Sequence, residues 1–572
     1  MKSKILKIVA PLALIAMMSF FLAACGESPA TPAETAATPT PQAAATPTPT
    51  PAPAPGLEEI DVHEGVHMWA FGQCIYGSSP ADKPGLQPGT ELNMAIITDV
   101  PLHLPWVDNR GDAFLLQLQV FDNLLYLHDR NLHDIRGNLA ESWTVSDDGL
   151  VWVFNIRQNA FFHSGNQVNA QAFVDTWDAG REWQGRFFVV VESYEATGEF
   201  ELTVTLNTPS PTFIYELPTS PHIAVVDPYF LALYGPEDNR AAIGTGPYMI
   251  YEAIPGERIT LRANPNYTHP DPRRQPSIEF INLMIIPEEN TGMLAMINGE
   301  IDAMNTVNIE IYHNLYAQGF RVGLVPGHIN PFWFNAQNVP IFRDIVVRQA
   351  LTMMVDWQLI SDIVFDGMFQ VPNSILPGTG GVPFGPNWVH DPQGGIQMLL
   401  DAGYNLDDIA FTILSNPAWR DTQVVLQEQF RALGLNNIEI ETVDSAVSFA
   451  ALRAGEYEMM PSHNGYSWYN PLQPFIMGLP PTGPQRTIFM EYTNPELYEY
   501  ALGLLNSGIA ASDFETYVSY VERLTQLVQD EFMAMGGVQD VRFIIVADRI
   551  SGVYVTPLSG NIEFVYMWDN TR

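Results

Sequence analysis

The sequence predicts an α/β chain built as two lobes, with the polypeptide passing between them more than once. Three observations carry this. Residues 200–206 alternate apolar and polar side chains, the period of a strand with one wet face. Val347, Ala350, Leu351 and Met354 recur with helical period, as do Phe514, Tyr517, Val518, Val521, Leu524 and Val528. Strand and helix signals keep interleaving along a chain of 572 residues, long enough for two or more sizeable cores.

The N-terminus has the layout of an export signal. Lys2, Lys4 and Lys7 precede an uncharged, mostly apolar run, residues 8–24, which is short for a membrane span. The run ends in Leu22-Ala23-Ala24-Cys25, which resembles a bacterial lipobox. Residues 1–24 are therefore expected to be a lipoprotein signal peptide. Cys25 would become a diacylglyceryl-modified first residue that holds the chain at the outer face of the cell membrane. Residues 25–56 consist largely of Pro, Thr and Ala, which cannot bury a core and favour polyproline II, so they read as a tether. Residues 57–90, with Trp69, Phe71 and Tyr76 among turn residues, form an N-terminal extension.

Composition narrows the function. Against 64 acidic side chains there are 26 basic ones, a formal net charge of -38 that repels phosphate backbones and argues against a nucleic-acid partner. After the leader the only lysine is Lys83, and no Walker-type phosphate loop is present. If ATP is used, another subunit uses it. Cys74 is the only cysteine besides Cys25, which leaves the mature domain without an internal disulfide. No cofactor is expected.

From Glu91 onward the elements follow in order. Residues 150–156 and 278–286 are apolar enough for buried strands. Asp391-Pro392 sets a capping residue before a first-turn proline, and Gly403 can stop that helix. Residues 419–433 predict a helix ended by Gly434, followed by a strand over 438–443.

A set of short blocks then gives the chain a family likeness. Leu139-Ala140-Glu141-Ser142-Trp143 is followed by Ser146-Asp147-Asp148-Gly149-Leu150, Phe154-Asn155-Ile156-Arg157 and Phe161-Phe162-His163-Ser164-Gly165. Further along come Gly244-Thr245-Gly246-Pro247-Tyr248, Asn264-Pro265-Asn266-Tyr267, Gly299-Glu300-Ile301-Asp302, and Phe334-Asn335 ahead of Val347-Arg348-Gln349-Ala350-Leu351. Ala402-Gly403-Tyr404 closes the series. In content and order these blocks resemble the family 5 extracellular solute-binding proteins, the oligopeptide-, dipeptide- and nickel-binding components of ABC importers.

The resemblance implies an α/β, two-lobed periplasmic-binding-protein-like fold (type II, cluster C) with an extra third domain. It divides the chain into lobe I (91–112, 239–325 and 548–572), the extra domain (113–238) and lobe II (326–547), with crossings near 325–330 and 540–547. It implies no enzymatic activity. The partners would be a small solute, peptide or oligosaccharide, and ABC permease and ATPase subunits, with the protein acting as a monomer. A sensory co-receptor on the same fold stays open.

By the same resemblance, Gly465-Tyr466-Ser467-Trp468-Tyr469-Asn470-Pro471 takes the place of a cleft segment that often reads Trp-x-Ala-Asp-Tyr in peptide-binding members. Trp468 stands where the aspartate would pair with a peptide ammonium, which leaves oligosaccharide as the alternative to peptide. The expected ligand-binding residues are Thr98, Asp99, Trp106, Trp333, Asn335, Asn464, Tyr466, Trp468 and Tyr469. Tyr466 and Tyr469 could equally pack within lobe II. Arg348 is expected to be a structural ion-pair partner. A competing reading of another class, a secreted lipoprotein hydrolase, rests on His63-Glu64-Gly65-Val66-His67, which matches HExxH. Gly65 weakens a helix there, and no third metal ligand lies nearby.

Overall fold

The computed structural model describes residues 83–100, 103–106, 111–128, 134–181, 188, 190–376, 382–462, 470–481, 483, 485–554 and 562–572. Cys25, the tether and the HExxH match lie outside the described residues, as do Asn464, Tyr466, Trp468 and Tyr469. Strands are numbered β1 to β19 along the chain.

Lobe I is built on a seven-stranded sheet in the order β12 (Arg321–Ile329), β17 (Gln539–Val546), β11 (Ala303–Thr306), β1 (Gln87–Ile96), β10 (Ile278–Ile285), β9 (Arg258–Ala263) and β8 (Tyr248–Ile254). β1 pairs in parallel with both β10 and β11, whereas β17 runs antiparallel to β11 and β12. Alternation assigns the two faces. Leu92, Met94 and Ile96 of β1, with Ile544 and Val546 of β17, enter one core. Ala95, Phe543 and Ile545 enter another on the opposite face.

Lobe II carries a four-stranded sheet in the order β13 (Phe332–Phe334), β16 (Met459–Pro461), β14 (Ala410–Ser415) and β15 (Asn437–Thr442). The helix Ile345–Met353 buries Val347, Ala350 and Leu351, and Met354 packs just beyond its end. Asp391 caps the helix Pro392–Asp401 by accepting the Gly394 N–H at 2.9 Å. Phe514–Asp530 buries Tyr517, Val521, Leu524 and Val528 against the helix Pro495–Ile509.

The extra domain has its own antiparallel sheet, β4 (Ala140–Val145), β5 (Val151–Ile156), β7 (Glu201–Leu206) and β6 (Val191–Gly198). The β4–β5 turn is closed by Gly149 at φ 73°, with Ser146 Oγ donating to Asp148 Oδ1 at 2.6 Å. Its core holds Trp152, Phe154, Phe173 and Trp177. Two short pairs complete the strands: β2 (Leu125–Leu127) with β3 (Ile135–Gly137), and β18 (Ile550–Ser551) with β19 (Trp568–Asp569).

Several expected boundaries move, among them the end of lobe I, since β12 continues in its sheet to Ile329, and the end of the extra domain, since Ala224, Val226 and Leu231 pack in the lobe I core. The helix Gly111–Val120, assigned above to the extra domain from residue 113 onward, sends Ala113, Leu115, Leu116 and Val120 into the lobe I core, so the extra domain begins near Leu124. β1 starts at Gln87, inside the expected extension. β17 lies wholly within the lobe I sheet, so the return crossing precedes Gln539 and does not occupy 540–547. In each case local pattern gave the element, but its sheet partner decided the lobe.

Several of the family-like blocks join lobe I to the extra domain, and one braces lobe II. His163 donates its backbone N–H to Gly244 O at 2.8 Å, and its ring Nε2 hydrogen-bonds Gly246 O at 3.0 Å. A Cβ on Gly244 or Gly246 would run into Val120 O or Gln119 O, so that turn requires glycine. Buried Asp122 accepts hydrogen bonds from Asn138 Nδ2 at 3.1 Å and from Tyr267 Oη at 3.2 Å. Arg348, fully buried, gives its Nε–H and an Nη–H to Glu531 O at 2.9 and 2.7 Å and another to Phe342 O at 2.8 Å. The Glu531 carboxylate stands off at 3.4 Å. Arg348 therefore satisfies buried carbonyls first and forms an ion pair second.

Burial pushes the His163 imidazole down to about 4 and the His269 imidazole down to about 2, the latter helped by the Arg274 and Arg157 cations. Both values lie below the ordinary 6.5, so the unfolded chain binds these protons first as pH falls. Their contribution to stability is fully present above about pH 6.5 and is lost on the way down, to about pH 4 for His163 and to about pH 2 for His269. A series of melting curves from pH 7 to pH 4 should show a falling midpoint in the wild type and a shallower fall in His163→Gln. Coincident pH profiles for the two proteins would remove His163 from this account.

Candidate functional site

Sheet direction locates the site. In lobe I the C-terminal ends of β1, β10, β11 and β12 share one edge with the start of β17. In lobe II, β14 runs parallel to β15 and β16, and β13 runs antiparallel to β16. The C-terminal ends of β14, β15 and β16 therefore share an edge with the start of β13. Only Asn330 and Pro331 separate the end of β12 from the start of β13. Both lobes thus turn the carboxyl ends of their parallel strands toward the crossing, the end of an open α/β sheet where ligands bind.

The return segment is held against the outgoing one. Asn330 N donates to Val538 O at 3.1 Å, Phe332 N to Gly536 O at 3.1 Å and Met535 N to Phe332 O at 2.8 Å. A Cβ on Gly537 would collide with Asn330 O. A further backbone bond, Gln539 N to Gln370 O at 2.8 Å, ties lobe II to the first residue of β17.

On the lobe I side, Thr98 and Asp99 follow β1 and are half-buried. Asp112 Oδ2 accepts the Thr98 N–H at 2.8 Å and the Thr98 hydroxyl at 2.5 Å, fixing that hydroxyl at the strand end. Asp99 Oδ2 accepts the Gly256 N–H at 3.0 Å. Ile97 after β1 and Val307 after β11 are exposed on this edge, at 51% and 47%. On the lobe II side, Val447 and Phe449 are exposed on the helix Ser445–Ala454 that follows β15. These four apolar side chains were missed by sequence reasoning. The break in alternation at Ile96-Ile97 was the available signal for one of them.

The structure brings Thr98, Asp99 and Trp333 to the crossing edges. It places Trp106 and Asn335 inside the scaffold. Trp106 is 4% exposed, packs in the lobe I core and spends its indole N–H on Pro236 O at 3.2 Å. Asn335 is fully buried: its Nδ2 donates to Gly455 O and Tyr457 O, and its Oδ1 accepts from Gln337 N and Asn338 N. With every polar position used, it caps a loop. Among the described residues there is no group of three or more His, Cys, Asp or Glu side chains placed to hold a metal. No described helix is long and apolar enough to cross a membrane.

The profile of the bacterial extracellular solute-binding proteins, family 5 (Middle), matches residues 134–485, more than half of the chain. The chain belongs to that family. This family 5 protein is 27% identical over 360 residues to the oligopeptide-binding protein AppA of Bacillus subtilis, an overlap of 56% of this chain and 64% of AppA. The chain thus spans slightly less than two thirds of the length of the curated relatives it matches. The structure of NikA from Brucella suis in complex with Fe(III)-EDTA superposes with a TM-score of 0.74 at 18% identity, covering 84% of this chain and 99% of NikA. The structure of MoaA from A. tumefaciens R10 in complex with mannopinic acid gives 0.69 at 19%, covering 84% and 99%. The family 5 chain therefore has the two-lobed, type II periplasmic-binding-protein-like fold with an extra domain.

The ribbon at the crossing makes a direct prediction. Gly537→Ala should force the Asn330 carbonyl aside and lower the urea unfolding midpoint by an amount equivalent to about 1–3 kcal/mol. Small-angle scattering should report an altered interlobe angle. An unchanged midpoint together with an unchanged scattering curve would contradict the close approach.

Proposed function

We propose that this chain is a lipid-anchored, extracytoplasmic binding protein that encloses an oligopeptide between its lobes and presents it to the permease and ATPase subunits of an ABC importer. The observation that carries the reading is the facing of the two sheets: the carboxyl ends of the parallel strands in both lobes meet at one hydrogen-bonded crossing. Such a joint lets two rigid bodies close on a guest. Family membership supports transport as the setting, and the name of the AppA relative supports a peptide. Binding without turnover fits this arrangement, so the protein acts as a receptor and not as an enzyme.

Thr98, Asp99, Trp333, Asn464, Tyr466, Trp468 and Tyr469 are the proposed contacts. Cys25 carries the lipid that holds the receptor, as a monomer, at the outer face of the membrane. An oligosaccharide is the second reading, favoured by one feature: Trp468 replaces the acidic anchor for a peptide ammonium, and aromatic rings stack on sugar faces.

Native mass spectrometry of the protein purified without refolding tests both readings. A co-purified species of peptide mass is expected, with an oligosaccharide mass as the outcome that selects the second reading. Failure to retain or bind any member of a peptide panel and an oligosaccharide panel, or chemical conversion of the bound species, would overturn the proposal.

A further inference from the structure

Among the described residues, three polar atoms at the crossing are buried without a hydrogen-bond partner: Asn330 Oδ1, Trp333 Nε1 and Ser462 Oγ, of which the last two share a face. Trp333 is 1% exposed and Ser462 2% exposed, yet neither the Trp333 Nε1–H nor the Ser462 Oγ has a hydrogen-bond partner among the described residues. Strand alternation puts them on one face. Trp333 pairs with Met460 and Phe332 with Pro461, so Ser462, whose N–H donates to Pro331 O at 3.1 Å, stands opposite Pro331. Trp333 lies two residues beyond Pro331 on the same strand, which makes it the diagonal neighbour of Ser462. The other face carries Phe332, Phe334 and Met459 into the core. Ser462 directly follows the carboxyl end of β16, so the pair sits where lobe II meets the crossing.

Buried donors are almost always paired, and each exception calls for a cause. Two exceptions on one face, at the sheet end where ligands bind, share one cause. We infer that Trp333 and Ser462 form a subsite for a neutral hydrogen-bonding group of the captured solute. This rests on the binding-protein reading above. The indole N–H can only donate, so the ligand atom facing it is an acceptor; the serine hydroxyl can donate or accept. The group is neutral because neither side chain carries a charge and an ion buried there would lack a counterion. Leu376, Met533 and Ala534 share the Trp333 cluster, so the surroundings are apolar. An amide or a sugar hydroxyl has this chemistry; a carboxylate or an ammonium does not.

Trp333→Phe keeps an aromatic ring but removes the N–H together with the pyrrole part of the indole, and Ser462→Ala removes only the hydroxyl. Each full-length variant would be titrated with a pool of tri- to pentapeptides and a pool of tri- to pentasaccharides, with binding read by native mass spectrometry and the ligand-free melting point measured in parallel. Each variant is expected to bind the active pool about tenfold more weakly; the ligand-free melting point of Ser462→Ala stays level or rises because an unpaired buried group has been removed, whereas that of Trp333→Phe falls with the lost volume. The pool that responds identifies the group as amide or hydroxyl. Affinities within twofold of wild type in both variants would overturn the subsite and leave the receptor function standing. Affinity and ligand-free stability falling together in Ser462→Ala would assign the pair a structural role and also overturn it. If the wild type binds neither pool, the receptor reading itself falls, and this inference with it.

Discussion

The backbone hydrogen bonds between Asn330 and Val538, Phe332 and Gly536, and Phe332 and Met535 weld the outgoing and returning crossings into a single ribbon. Everything on either side is a rigid layered body, and the ribbon is their shared axis. It extends the β12–β17 pairing out of the lobe I sheet and runs into β13, where Trp333 forms a bridge with Ala534. A loose linker would cost entropy on every closure; a paired ribbon limits the lobes to few relative positions. One flank is further constrained by an apolar cluster containing Tyr312 and Phe543 of lobe I together with Phe332 and Phe334 of lobe II.

The extra domain is attached to lobe I through a set of buried polar contacts. The Gly244-Thr245-Gly246 turn packs on the end of the helix Gly111–Val120, and His163 closes over it from the extra domain. Asp122, Asn138 and Tyr267 form the next link. Of these, His163, Gly244-Thr245-Gly246 and Tyr267 belong to the blocks that give the chain its family likeness. They join the extra domain to lobe I through buried contacts.

Much of this was legible in the sequence. Alternation at 200–206, the stripes through Val347 and Tyr517, and the Asp391-Pro392 cap each reported a local conformation, and the elements formed where the pattern placed them. Lobe membership was less legible, because an apolar run such as Val541–Val546 says that a strand is buried without saying beside which strand. The site was least legible of all. Tryptophan and asparagine suit a cleft, but Trp106 and Asn335 have the same chemistry and use it to satisfy Pro236 and the Gly455 and Tyr457 carbonyls. Hydrogen bonding separates such residues from Trp333, whose indole N–H has no partner among the described residues.

The central claim is that the two strand edges approach each other about the ribbon when a solute enters. Val307 and Val447 mark those edges and are both exposed. Spin labels on Val307→Cys and Val447→Cys, in a chain with Cys25 and Cys74 replaced by serine, would give the distance between lobes by pulsed dipolar spectroscopy. The account predicts a distribution that shortens and narrows on adding the peptide or saccharide pool that binds. The same distribution with and without saturating solute would contradict it.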